Sequence, residues 1–412
     1  MIDSQDVSEK ELEILRGDAV GNNLCSKKWI INTLMSLCEF DKHGWTEELE
    51  EQLCTLWDLS MDKEVVSCLL SCGFSKIAKN ILTTSDEPRL TERVLGIIGN
   101  VCCSDEAIDT ICCDKELVTQ ILNHLGSDDS LTLIQLIRIL QLIVWKIQQN
   151  PQSDWVAHLT ECEFFGDSIT FMLKSSTNDD LLISAMNLLS SISEIKLPNE
   201  NSFLEKLFKL DCLIPALLES FVQVTSKNKT NNSEWSFAQH WLTVLIAIME
   251  LGSLKFEDDY ENDERFSKLM EIMYQILKPC KKSHNLYPID KLGANMIYDA
   301  VRILLCFQSS DVSIPPRINS IIAFIIFSLK TVPELDSRED LDPEELTIDL
   351  LNYLNKYWLQ VVAFCTSQQL IEIFHLCDRE VRENLINFVR SDCKATPETL
   401  DKIKEAAVAF EK

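Results

Sequence analysis

The sequence predicts an all-α chain, an armadillo/HEAT-like α-solenoid of about six irregular helical repeats, and three observations carry that prediction. Glycine and proline are scarce, 10 and 11 in 412 residues, well under the usual shares of about 7% and 5%, so little interrupts long helices. Pro88 to Cys103 reads PRLTERVLGIIGNVCC, a proline start followed by Leu90, Val94, Ile97, Ile98 and Val101 at helical spacing. Polar loop signals begin at Ser85, Ser127 and Ser175, roughly 42 and then 48 residues apart, each before an apolar helix, and this is the period of armadillo or HEAT units. Stacked repeats bury one face of each against the next, so a chain that is 46% hydrophobic extends its core along an axis.

The elements follow in order. Residues 1–23 form an acidic lead-in, predicted to be partly disordered, and order begins near Leu24. Ser26 caps a helix over Lys28 to Phe40, whose Trp29, Ile30, Leu34 and Leu37 share a face. Thr46 caps the next, to Leu59, with Glu47 and Glu48 at the positive end of its dipole. Asp62 to Leu70, Phe74 to Leu82 and Pro88 to Cys103 give a short, a medium and a long helix, the three-helix armadillo order.

Ala107 to Cys113, Glu116 to Leu125 and Leu131 to Ile147 repeat it. In the last of these Thr132, Gln135, Arg138 and Gln141 form a narrow polar stripe that leaves most of the circumference to be buried. Trp155 to Cys162, Asp167 to Leu173 and Asn178 to Ile192 make a third unit. Phe203 to Phe208, Leu213 to Val224 and Trp235 to Leu251 make a fourth, interrupted by the polar loop Ser226 to Ser233. Later helices are Ser267 to Leu277, Leu292 to Phe307, Ile318 to Leu329 and Leu346 to Thr366, with acidic loops near 256–265 and 333–345. The solenoid therefore spans 24–366, and 367–412 reads as a helical cap, which a terminal repeat needs to close an exposed core.

Charge and cysteine usage narrow the function. Asp and Glu outnumber Lys and Arg by 65 to 38, a net charge of -27, and this opposes a nucleic-acid backbone, whose recognition needs clustered cations. The same field favours solubility, and it would steer a basic or extended protein segment into a groove. Sixteen cysteines are too dilute for a disulfide framework and read as thiols. The N-terminus lacks a basic n-region and an apolar h-region, so the expected compartment is nucleus or cytoplasm. The apolar run Ile321 to Leu329 is too short to span a bilayer, and no membrane anchor is expected.

Chemistry finds little to build on. Cys102-Cys103 and Cys112-Cys113 could in number hold a zinc ion, but adjacent helical cysteines point about 100° apart, and zinc pairs usually enclose two or more residues. Six histidines show no HExxH or HxH pairing, and glycine-rich phosphate loops and GxSxG elbows are absent. No cofactor and no metal is expected, and the chain reads as non-enzymatic. Five residues are candidates for contact with a protein partner: Trp57 as an aromatic anchor, Arg89, Asn100 as an amide that pairs with a peptide backbone, Arg138 and Asn187. Trp57 and Asn100 have a structural reading beside the functional one. Trp57 and Met61 can pack beneath a helix capped by Ser60 or Asp62, and Gly96 and Gly99 can admit a close neighbour beside Asn100.

The segments Ser26-Lys-Lys-Trp29, Cys54 to Asp62, Pro88 to Asn100, Asp167-Ser-Ile169 and Ser175 to Leu182 resemble the serum amyloid A-like protein family of armadillo-like helical proteins. The resemblance runs from about Leu24 to Leu182 and thins beyond. It implies an intracellular, nuclear, non-enzymatic protein associated with control of cell proliferation, and it brings no catalytic residues. An importin-like carrier would show a WxxxN ladder, whereas Trp29, Trp57, Trp145 and Trp241 are followed four residues later by Thr33, Met61, Gln149 and Leu245. The leading expectation is a protein-interaction scaffold. The alternatives are a structural subunit of a larger assembly and a cysteine-dependent enzyme.

Overall fold

The computed structural model describes residues 19–20, 25–198, 202–226, 232–252, 263–286, 289–308, 312–331, 342–391 and 396–410. Most of the acidic lead-in, the core of the polar loop after Ser226 and most of both acidic loops lie outside the described residues. Among the described residues the regular structure is helical, with isolated bridges only at Ala19–Ser26 and Lys196–Ser202. The chain forms two compact units, Met1–Lys209 and Leu210–Lys412.

The first unit contains α1 (Lys27–Cys38), α2 (Phe40–His43), α3 (Glu47–Leu59), α4 (Lys63–Ser71), α5 (Phe74–Thr84), α6 (Pro88–Val101), α7 (Asp105–Cys113), α8 (Lys115–Asn123), α9 (Ser130–Gln149), α10 (Asp154–Glu161), α11 (Phe165–Ser175), α12 (Asp179–Ser193) and α13 (Phe203–Leu207). Ser26, Thr46 and Asp62 accept the first-turn amides of Trp29, Leu49 and Glu64, so these starts follow from local side-chain chemistry. The helix predicted over Lys28 to Phe40 breaks at Glu39, which ends α1 and begins the single turn of α2. Ser60 does not cap α4. Its hydroxyl donates to the Trp57 carbonyl at 2.6 Å, while Met61 is 79% exposed instead of packed beneath the helix.

Three triplets, α4–α6, α7–α9 and α10–α12, repeat one local device. Ser85, Ser127 and Ser176 each accept the amide two residues on, at 3.1 Å, from Glu87, Asp129 and Asn178. Those three residues then cap α6, α9 and α12, accepting from Arg89, Thr132 and Leu181. The hydroxyl turn thus positions the cap, and the cap starts the third helix of each triplet. Third helices stack in a layer, α3 on α6, α6 on α9 and α9 on α12, while α5 packs on α8 in the layer beside it. Ser130–Gln149 is apolar and long enough to cross a membrane, yet half of its apolar window is buried, and it lies between α6 and α12.

The second unit contains α14 (Leu210–Thr225), α15 (Asn232–Glu250), α16 (Glu264–Leu277), α17 (Lys291–Gln308), α18 (Pro316–Lys330), α19 (Asp342–Phe364), α20 (Ser367–His375), α21 (Arg379–Ser391) and α22 (Pro397–Val408). It is built from helix pairs: α15, α17 and α19 form one layer, and α14, α16, α18 and α20 form the other. Trp241 Nε1 of α15 donates to the Leu217 carbonyl of α14 at 2.8 Å. Tyr357 Oη of α19 donates to Asn319 Oδ1 of α18 at 2.6 Å in the buried core. The helices after residue 366, expected to cap the solenoid, pack on α18 and α19.

Candidate protein-docking face of the first unit

Helices α9 and α12 each keep one row of side chains partly exposed. Ile134, Arg138, Leu142 and Trp145 follow one another along α9 at spacings of four, four and three, so they share a side of the helix. The first three are half-buried, and the Trp145 indole is 49% exposed. Ser184, Asn187 and Ser191 form the matching row on α12, with Asn187 exposed. Gln141 Nε2 donates to the Ser184 carbonyl and Gln148 Nε2 to the Ser191 carbonyl, both at 3.1 Å. These amides pin α9 to α12 and hold the two rows in fixed register.

Toward the N-terminus the face closes. A Cβ at Gly96 would stand 2.6 Å from Trp57 Cζ2, so the half-buried indole of α3 occupies the space that this glycine leaves on α6. The Arg93 guanidinium lies 5.2 Å from the Trp57 ring centroid, within cation–π range. Glu92 is buried between Arg89, its hydrogen-bonding ion-pair partner, and Arg93 at 3.6 Å. Arg89 also reaches Asp129, the α9 cap, at 2.7 Å. Burial pushes the Asp129 carboxyl up, but hydrogen bonds from Thr132 and the Arg89 charge outweigh it and hold the group below the usual carboxylate range.

These contacts change what the five candidates do. Asn100 is 5% exposed, and its amide hydrogens go to Trp57 O at 2.8 Å and Ser60 Oγ at 2.9 Å while its oxygen accepts from Arg138. It therefore has no amide to offer a peptide backbone, because the C-terminal end of α3 already uses it. Arg89 is committed to Glu92 and Asp129. Arg138 is half-exposed with one guanidinium nitrogen on Asn100. Trp57 is clamped between Gly96 and Arg93, and Asn187 stands in the open row of α12. The polar stripe of α9 is a seam between helices: Thr132 bonds Asp129 and Pro88 O, Arg138 bonds Asn100, and Gln141 bonds Ser184 O.

Trp145 is not among the five candidates, though its four-four-three spacing from Ile134 is legible in the sequence. Tyr298 and Tyr353 in the second unit stack with ring centroids 4.1 Å apart. No local pattern announces a contact between residues on separate helices.

The thiols that shift all shift upward. Burial raises Cys102, Cys280 and Cys377 to about 12, and Cys112 and Cys365 to about 11, the reverse of an activated nucleophile. Among the described residues no three His, Cys, Asp or Glu side chains converge where a metal ion could sit.

No family model matches the chain. It is 30% identical over 266 residues to Protein SAAL1 of Homo sapiens, covering 57% of this chain and 53% of that protein. It is 30% identical over 185 residues to Protein saal1 of Danio rerio, covering 42% and 39%. The chain thus spans about half the length, or less, of the curated relatives it matches. Among solved structures it is similar to a computationally designed armadillo repeat protein for modular peptide recognition, with a TM-score of 0.45 and 11% identity over 66% of this chain and 98% of that one. An engineered protein covers 92% of this chain at a TM-score of 0.35 and 12% identity.

Proposed function

We propose that this chain is a non-enzymatic protein-interaction scaffold whose first unit receives an extended, basic segment of a partner protein along the free face of α9 and α12. The observation that supports this reading is the half-exposed Trp145 at the end of the Ile134–Arg138–Leu142 row. An aromatic ring that is held by a rigid helix and left in water is the kind of group that supplies binding energy when a partner covers it. Asn187 is placed to exchange hydrogen bonds with an extended backbone, since its amide both donates and accepts. The net charge of -27 favours a basic segment and speeds its encounter at low salt. By resemblance to the serum amyloid A-like proteins, the proposed setting is the nucleus or cytoplasm, in a process that controls cell proliferation.

Affinity purification of the tagged chain from cells tests this reading. Trp145→Ala and Leu142→Ala should each reduce recovery of the partner about tenfold or more, with a cooperative unfolding transition retained in urea. A partner recovered equally well by both variants would place binding elsewhere. Fractionation of the same cells tests the compartment.

A further inference from the structure

A second concavity lies elsewhere in the first unit. A cleft of about 570 Å3 opens between the loop after the 3-10 turn His124–Gly126 and one side of α11. Its floor is apolar, formed by Leu133 of α9, Met172 of α11 and Leu181 of α12, all buried. One wall is Phe171, which is 68% exposed. Phe164, at the start of α11, is also exposed. Seven residues are two helical turns, so both rings lie on the same side of α11. Covering exposed apolar rings removes their surface from water, which is favourable in proportion to the area buried, and this is the gain open to a partner that covers the pair.

The rim decides the charge of that partner. Asp128 is exposed on it, and Asp167, also on it, pairs with Lys209 at 2.9 Å. Glu161 and Glu163 are exposed just before Phe164, against Lys174 at the other end of the helix. Helices α9 and α12 begin beside the cleft, and a helix start ordinarily attracts anions. Here Asp129 and Asn178 already accept their first amides, and Asp179 and Asp180 fill the first turn of α12. An anionic ligand would therefore meet carboxylates, and a cationic one would meet partners.

We propose that this cleft docks an amphipathic helix of a partner protein, one that carries bulky apolar side chains two turns apart and a net positive charge. The apolar side chains cover Phe164 and Phe171 and enter the cleft, and the basic face lies over Asp128 and the acidic turn before α11. This is the helix-in-groove mode of recognition, read by anchors at i, i+3 or i+4, and i+7. The site is separate from the α9–α12 face and stands whether or not that face binds an extended segment.

Selection of short random peptides displayed on phage against the whole chain tests the proposal. Enriched peptides should show the apolar two-turn spacing and a net positive charge. Synthetic copies, followed by fluorescence anisotropy, should lose about tenfold or more in affinity with Phe171→Asp and should weaken with Asp128→Lys and with added salt. Trp145→Ala should leave their binding unchanged. Because Phe171 is exposed, both Phe171→Asp and Phe171→Ala should keep the unfolding midpoint, and Phe171→Ala provides the same reading if the charged variant misfolds. Acidic or neutral winners, binding indifferent to Phe171, or a selection that returns no binder would overturn the proposal.

Discussion

Asn100 of α6 donates an amide hydrogen to the carbonyl oxygen of Trp57, 43 residues earlier, at 2.8 Å. The last carbonyls of a helix lack intrahelical donors, and here a side chain from the next triplet supplies one. The same side chain bonds Ser60 Oγ and accepts from Arg138, so one buried amide joins α3, α6 and α9. Asn100→Ala should therefore lower the free energy of unfolding by about 1–3 kcal/mol, the cost of leaving buried polar groups without partners. Urea titration measures it. Asn187→Ala, on the exposed row, should stay within about 0.5 kcal/mol of the parent, and equal losses in the two variants would dispose of the distinction.

Gly96 is the seat of the Trp57 indole. Alanine there sets a methyl group 2.6 Å from Cζ2, a distance that real contacts do not show, so the ring must lift away from α6. The expected cost is about 1–3 kcal/mol. With Trp57→Ala in place the obstacle is gone, and Gly96→Ala should become neutral or stabilising by up to about 1 kcal/mol, since alanine is the better helix former. A double-mutant cycle in urea reads this change of sign, and simple additivity of the two substitutions would show that the ring does not rest there.

How much of this was visible in the chain depends on whether the information is local. Thr46 and Asp62 could be read as caps because a cap involves residues only two or three positions apart. Ser85, Ser127 and Ser176 could be read as repeat marks for the same reason, although the third was placed one residue early. Asn100 could be singled out as an amide beside a glycine, but whether it faced a partner or the protein depended on Trp57 and Ser60, some 40 residues away. The cleft beside Phe171 was invisible, because its floor comes from three helices. The polar stripe of α9 tells correctly that much of that helix is buried, but not that the stripe itself bonds Asn100 and Ser184, since periodicity shows that residues share a side and does not show what lies against that side.

His124 gives the first unit a pH response. Its Nε2 lies 3.2 Å from the Leu82 carbonyl, and burial holds its pKa below the ordinary value, only partly opposed by that hydrogen bond. Between the lowered and the ordinary value the unfolded chain binds more protons than the folded one, so stability rises with pH. The contribution is complete above about 6.5 and is lost as pH falls through the lowered value. Urea midpoints should drop between pH 7.5 and 5.5, and His124→Gln should flatten that slope. A slope unchanged in the variant would assign the response to another group.

Cys102 and Cys103 make the sharpest internal comparison, since they are neighbours in sequence at the end of α6 and have opposite environments. Burial and the adjacent Cys103 raise the Cys102 thiol from 9.0 to about 12, which lowers its thiolate fraction near neutrality about a thousandfold. Cys103 is exposed, with its sulfur 3.5 Å from the Gly99 carbonyl. Iodoacetamide at pH 7.5, followed by peptide mass spectrometry, should therefore label Cys103 well before Cys102. Cys280 and Cys377, raised to about 12 by the same burial, should join Cys102 in reacting only as urea unfolds the chain. Early labelling of Cys102 would mean that the junction of α6 and α7 opens readily. It would also revive a cysteine nucleophile, because a thiol that reacts quickly from inside a helix layer needs both access and a pKa far below the one that burial imposes.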